Sequence, residues 1–167
     1  IPCPAGSFCA DGTSAAAPCP IGRYDGAQGA TVCVLCRPGM VAPANQQSCT
    51  ACEIGTFAAV DVCETCAKGK FASATFATGC MSCSNGTSAI NRGATTCSSC
   101  MPGRSSVDPT MNCTLCDVNT FASATGSSSC ADCANGDSTR EKEGESRCTR
   151  DALTCPAQTY LNDPVGD

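Results

Sequence analysis

Apolar residues in this chain come in ones and twos, and Gly, Ser, Thr, Asn, Asp and Pro interrupt them before any window sustains the spacing of an amphipathic helix. What recurs instead is a short motif, seen in CAKGKFASATFATGC at residues 66–80: cysteine, a turn, Gly, an aromatic or small residue, a polar stretch and a return to cysteine. Such a motif predicts one pair of antiparallel strands, roughly two to four residues each, joined across a turn. Helix is expected to be close to absent.

The motif repeats through most of the 167 residues. Seven C-x-x-C pairs follow one another: Cys33/Cys36, Cys49/Cys52, Cys63/Cys66, Cys80/Cys83, Cys97/Cys100, Cys113/Cys116 and Cys130/Cys133. They begin 14 to 17 residues apart, a period that marks a linear array of small units. Three residues after the second cysteine of each pair, and after Cys19, stands Gly22, Gly39, Gly55, Gly69, Gly86, Gly103 or Gly136, with Asn119 in one unit. Gly and Asn are the residues that most readily take a positive φ, so this slot is expected to be a tight left-handed turn. The fifth position holds Tyr24, Phe57, Phe71 or Phe121 in four units and Val41, Ser88, Ser105 or Ser138 in the others. An aromatic there reads as a local plug over a disulfide. The pentapeptide FASAT occurs at 71–75 and again at 121–125, fifty residues and three units apart, so a triplet period overlies the single unit.

Composition changes the picture in one respect: 19 cysteines replace a conventional core, for the chain has five Phe, two Tyr, no Trp and no His. That balance belongs to a disulfide scaffold formed in the secretory pathway and working outside the cell or at its surface. A net charge of −5 without a basic block argues against nucleic-acid partners, and no apolar run is long enough to span a bilayer. The charged stretch REKEGESR at 140–147 alternates in sign and reads as a solvated loop. The start at Ile1, inside a cysteine motif, reads as a processed or partial chain.

Spacing favours a register in which the second cysteine of each pair closes a loop with the first of the next. The bridges are then Cys19–Cys33, Cys36–Cys49, Cys52–Cys63, Cys66–Cys80, Cys83–Cys97, Cys100–Cys113, Cys116–Cys130 and Cys133–Cys148, each enclosing 10 to 14 residues. Cys3 and Cys9 remain as a candidate pair, and Cys155 is left unpaired within the chain. A competing register links alternate cysteines of neighbouring pairs, Cys36 with Cys52 for example. Zinc is a further alternative for paired C-x-x-C motifs, but seven pairs leave one unmatched and there is no His. No metal and no cofactor are expected.

The opening CPAGSFCADGTSAAAPCPIGRYDGAQGATVCVLCRPG resembles the ephrin-receptor-like cysteine-rich repeat, found in tandem in large surface proteins of protists and algae and in some animal receptors. The single unit is also similar to the first half of a tumour-necrosis-factor-receptor cysteine-rich repeat. The resemblance covers residues 3 to about 148 and implies disulfide roles for the cysteines and turn roles for the glycines above. It carries no catalytic residues.

These readings converge on a small disulfide-rich repeat protein, an elongated rod of short β-hairpins with almost no helix and no single hydrophobic core. Its divisions are a partial cysteine unit at 1–18, eight tandem repeats at 19–148 and a tail or further unit at 149–167. Without His or a phosphate-binding loop no catalytic site is expected, and Lys68 and Lys70 beside Gly69 read as solvated. Asn85 and Asn112 begin glycosylation sequons, with Cys113 inside the second. The expected function is an extracellular structural spacer, or a segment of a filament, flagellar appendage or other surface glycoprotein, whose partners are copies of itself or other extracellular structural proteins. The alternative is a receptor or adhesion module that binds a protein ligand along the rod.

Overall fold

A computed structural model describes residues 3–10, 15–134 and 137–150. Nine two-stranded antiparallel sheets follow one another, each made of strands adjacent in sequence. Eight have two residues per strand, and the longest pairs Thr56–Ala58 with Cys63–Thr65. Each hairpin takes the name of the cysteine that opens it. Strands this short cannot persist alone in water, so the bonding between hairpins decides the fold. No helix is present among the described residues, and the class expected from the sequence is the class observed.

Within a hairpin the Gly slot makes the first turn. Gly6, Gly22, Gly39, Gly55, Gly69, Gly86 and Gly103 have φ between 75° and 82°, and Asn119 stands at 64°. The amide one residue later donates back across the turn, as Lys70 does to the Ala67 carbonyl oxygen at 3.1 Å. Gly136 lies outside the described residues. The Cys3 hairpin shares the pattern, with Gly6 in the slot and Phe8 at the fifth position; Ser7–Phe8 pairs with Ala17–Pro18.

Consecutive hairpins are joined by a repeated set of backbone bonds. Between the Cys66 and Cys83 hairpins, the Gly69 amide donates to the Ala89 carbonyl oxygen (2.8 Å) and the Cys83 amide to the Gly69 carbonyl oxygen (2.8 Å). The Gly93 amide donates to the Cys66 carbonyl oxygen (2.8 Å), and the Ala72 amide to the Ala94 carbonyl oxygen (3.1 Å). The same four bonds join the Cys100 and Cys116 hairpins through Gly103–Ala122, Cys116–Gly103, Gly126–Cys100 and Ser106–Ser127. The residue six after the opening cysteine is thus clamped by two of these bonds. In six hairpins it is small and buried, with Ala42, Ala72, Ala89, Ser106, Ala122 and Thr139 each exposed by 6% or less, whereas Asp25 and Ala58 are half-buried. With the opening cysteines these residues form a thin core strung along the stack, and no large aliphatic cluster exists among the described residues.

A second left-handed residue stands four before the closing cysteine: Gly29, Asn45, Phe76, Gly93, Gly126 and Gly144. Its backbone reaches two hairpins back. A Cβ placed on Gly39 would overlap the Phe76 backbone; on Gly55, that of Gly93; on Gly86, that of Gly126; on Gly103, that of Gly144. Gly22 has nothing within 4 Å of such an atom. The slot therefore carries two separable demands, a positive φ everywhere and empty space at some positions. In Gly22→Ala the left-handed penalty alone, about 1–2 kcal/mol, should speed hydrogen exchange at the Cys36 amide by roughly tenfold. In Gly86→Ala backbone overlap adds about 1–3 kcal/mol, and exchange at the Cys100 amide should rise by more than about a hundredfold. Residue-resolved exchange by NMR checks both, and equal effects would refute the distinction.

Candidate functional site

The groups that dominate this molecule are its cystines. The structure closes Cys3–Cys9, Cys19–Cys33, Cys36–Cys49, Cys52–Cys63, Cys66–Cys80, Cys83–Cys97, Cys100–Cys113, Cys116–Cys130 and Cys133–Cys148, with Cα atoms 5.4 to 5.9 Å apart. Cys36 and Cys52, the example pair of the competing register, are held apart in separate bridges. Cys155 lies outside the described residues. In the six bridges from Cys36–Cys49 to Cys116–Cys130 the two ends differ in environment, whereas both ends of Cys3–Cys9 and Cys19–Cys33 are buried and both ends of Cys133–Cys148 are half-buried. Cys19, Cys52, Cys66, Cys100 and Cys116 are at most 1% exposed, whereas Cys49, Cys63, Cys80, Cys97, Cys113 and Cys130 are half-buried. Cys19, Cys52, Cys66, Cys100 and Cys116 are interior because amide and carbonyl are both spent on neighbouring hairpins, while the closing cysteine pins the loop at the periphery.

The fifth-position aromatics Tyr24, Phe57, Phe71 and Phe121 are half-buried, and Phe71 and Phe121 are less enclosed than Ala72 and Ala122, which follow them. Sequence reasoning missed that sixth position, although its Ala at 42, 58, 72, 89 and 122 was a visible signal. At the Cys100 hairpin the fifth residue meets the next bridge, with the Ser105 hydroxyl oxygen 3.3 Å from Cys130 Sγ. Asn119 uses its side chain to fill its slot. Its amide donates to Thr139 Oγ1 (2.8 Å), and its Oδ1 accepts from the Thr139 amide (3.4 Å).

Three open grooves run beside the hairpin junctions. One of about 480 Å³ is lined by Tyr24, Val34, Leu35, Arg37, Met40 and Ser48, with Val34 and Leu35 exposed. A second, about 420 Å³, lies against Ser88, Arg92, Thr96, Ser98 and Asn112. The third, about 290 Å³, shares Ser88, Ser98 and Asn112 and adds Arg104. Asn85 is exposed in the turn between Cys83 and Gly86, and Asn112 is exposed beside Cys113. Lys68 and Lys70 point into solvent. The charged side chains of Glu141, Lys142, Glu143 and Arg147 are exposed too, yet the same loop joins the ladder through Gly144 and the Glu145 carbonyl. No group of three or more metal-ligating side chains occurs among the described residues, and no described helix is long and apolar enough to cross a membrane.

Residues 103–148 match the family model described as tyrosine-protein kinase ephrin type A/B receptor-like. No curated protein matches the chain. The matched segment holds the Cys116 and Cys133 hairpins and most of the Cys100 hairpin, and its turn, bridge and ladder bonds are those of the preceding hairpins. The resemblance at the N-terminal end and the match at the C-terminal end thus meet in one repeated unit.

The reciprocal Asn119–Thr139 pair gives a direct test of how the slot is satisfied. Thr139→Val removes the acceptor of the Asn119 amide and forfeits a part-buried hydrogen bond, at a cost of about 0.5–1.5 kcal/mol. Exchange at that amide should accelerate by up to roughly tenfold, and Thr139→Ser should restore protection.

Proposed function

We propose that this chain is an extracellular structural spacer, a rod that holds other parts of a surface protein apart or assembles with copies of itself. An ephrin-receptor-like, disulfide-rich module accounts for residues 103–148, and nine bridges suit an extracellular or cell-surface location. The observation that carries the reading is the recurring ladder. Backbone bonds join each described hairpin to the next and close backbone approaches reach the second neighbour, as in a one-dimensional repeat protein. Such a stack resists proteolysis because an unbridged, unbonded loop is rare along it. Asn85, exposed on a turn, is the favoured glycan carrier.

One observation favours a second reading, a receptor or adhesion module. Tyr24, Val34, Leu35, Arg37 and Met40 gather in a single groove, the kind of aromatic, aliphatic and Arg cluster that anchors protein ligands.

Electron microscopy and sedimentation of the oxidised chain separate these readings. The spacer predicts elongated particles that either stay monomeric or add laterally as concentration rises. A compact, globular particle overturns it. Saturable binding to an extracellular-matrix protein that is lost in Leu35→Asp, with particle shape unchanged, would establish the receptor reading instead.

A further inference from the structure

The fifty-residue period has a structural counterpart, and it lies in the junctions. Among the hairpins from Cys19 to Cys133, two lack the second left-handed residue: Ala59 and Pro109 occupy its position in the Cys52 and Cys100 hairpins, and neither has a positive φ. These two hairpins are three units apart, the spacing of the FASAT copies. The consequence falls on the hairpin before each of them. The carbonyls of Cys3, Cys19, Cys52, Cys66, Cys100 and Cys116 accept from a left-handed residue of the next hairpin, and those of Cys36 and Cys83 do not. Burial shows the same division. Cys36 and Cys83 are 9% and 7% exposed, against 0 to 3% for Cys3, Cys19, Cys52, Cys66, Cys100 and Cys116.

The two junctions are not equally depleted. Between the Cys83 and Cys100 hairpins three ladder bonds survive: Gly86 to Ser106 (2.7 Å), Cys100 to Gly86 (2.9 Å) and Ala89 to Pro109 (2.8 Å). The loop that presents Pro109 is set by Asp108, whose Oδ1 accepts from the Thr110 amide (2.9 Å) and hydroxyl (2.7 Å). The Thr110 hydroxyl, then its amide, hold the Asp108 carboxyl below its usual range, so this turn keeps its anchor until strongly acidic pH. Between the Cys36 and Cys52 hairpins the loop is shorter still, with a bridge separation of 11 residues against 13 to 15 in the other hairpins after the first. One ladder bond remains there, from the Cys52 amide to the Gly39 carbonyl oxygen (3.0 Å).

We propose that the stack is segmented into three-hairpin blocks with built-in bend points, the junction of the Cys36 and Cys52 hairpins being the principal hinge and that of the Cys83 and Cys100 hairpins a braced version of it. Phe76 limits the hinge. It is a bulky residue at φ 61°, where the second FASAT copy is followed by Gly126, and its backbone lies against Gly39 across the short hairpin. A strained conformation of this kind persists where its surroundings hold it in place. The contact ties the Cys36 hairpin to the Cys66 hairpin and caps the range of bending without fixing one angle.

Amide exchange in the oxidised full chain reads the hinge directly. The Cys52 amide should exchange at least about tenfold faster than the equivalent amides of Cys66 and Cys83, with Cys100 between them. Particles in electron microscopy should show variable bending about one third of the way along. Replacing the Cys52 loop with the longer Cys66 loop should slow exchange at Cys52 and narrow the bend distribution. Exchange at Cys52 within about twofold of Cys83, or a uniformly straight rod, would overturn the proposal whatever the fate of the loop variant. A rod that is straight yet elongated would overturn the hinge and leave the spacer reading intact.

Discussion

The structure depends on the opening cysteine more than on any other residue. Its sulfur closes its own hairpin, its amide donates to the Gly carbonyl of the hairpin before, and its carbonyl accepts from the left-handed residue of the hairpin after, as Cys66 does with Cys80, Gly55 and Gly93. Where all three links are made, one buried residue fixes three consecutive units, and Cys36 and Cys83 lack the third. Hydrogen bonds at a surface contribute little net stability, but bonds around an enclosed residue are costly to lose because water cannot replace them at once. The bridge supplies the persistence that two-residue strands lack, restricting the unfolded loop by about 3 kcal/mol for a ring of this size. The disulfides and the ladder divide the labour: the first make each hairpin persist, the second makes neighbours register.

Small side chains have a specific place in this scheme. Ala42, Ala72, Ala89 and Ala122 are buried because the preceding Gly slot lies on their backbone. The abundance of Ala and Gly thus serves contact between successive hairpins of one chain. Asn119 is admitted at its slot because a left-handed φ suits Asn and its amide engages Thr139. A slot such as Gly86, where another backbone occupies the Cβ position, has no room for it.

Periodicity made the class legible in the sequence: C-x-x-C spacing marked the units and the Gly slot marked their first turn. The sixth position is masked in the sequence by the larger residue beside it, as Ala72 is by Phe71. The second left-handed position was hidden by its variety, since Gly29, Asn45, Phe76 and Gly126 share an offset from a closing cysteine but no residue type. The spread of loop lengths also carries structure, for at the Cys52 hairpin the shortest loop goes with a single ladder bond to the hairpin before. The FASAT copies marked a real period, and its physical content lies in the junctions before the Cys52 and Cys100 hairpins, where Ala59 and Pro109 stand in place of the second left-handed residue.

The central claim is that the opening cysteine and the Gly slot exchange backbone bonds between hairpins. Scalar couplings across hydrogen bonds, measured by NMR on the labelled, oxidised chain, test it bond by bond. The account predicts couplings from the Gly69 amide to the Ala89 carbonyl carbon, from Cys83 to Gly69 and from Gly93 to Cys66. Absence of all three, with those amides exchanging as freely as exposed ones, would contradict it.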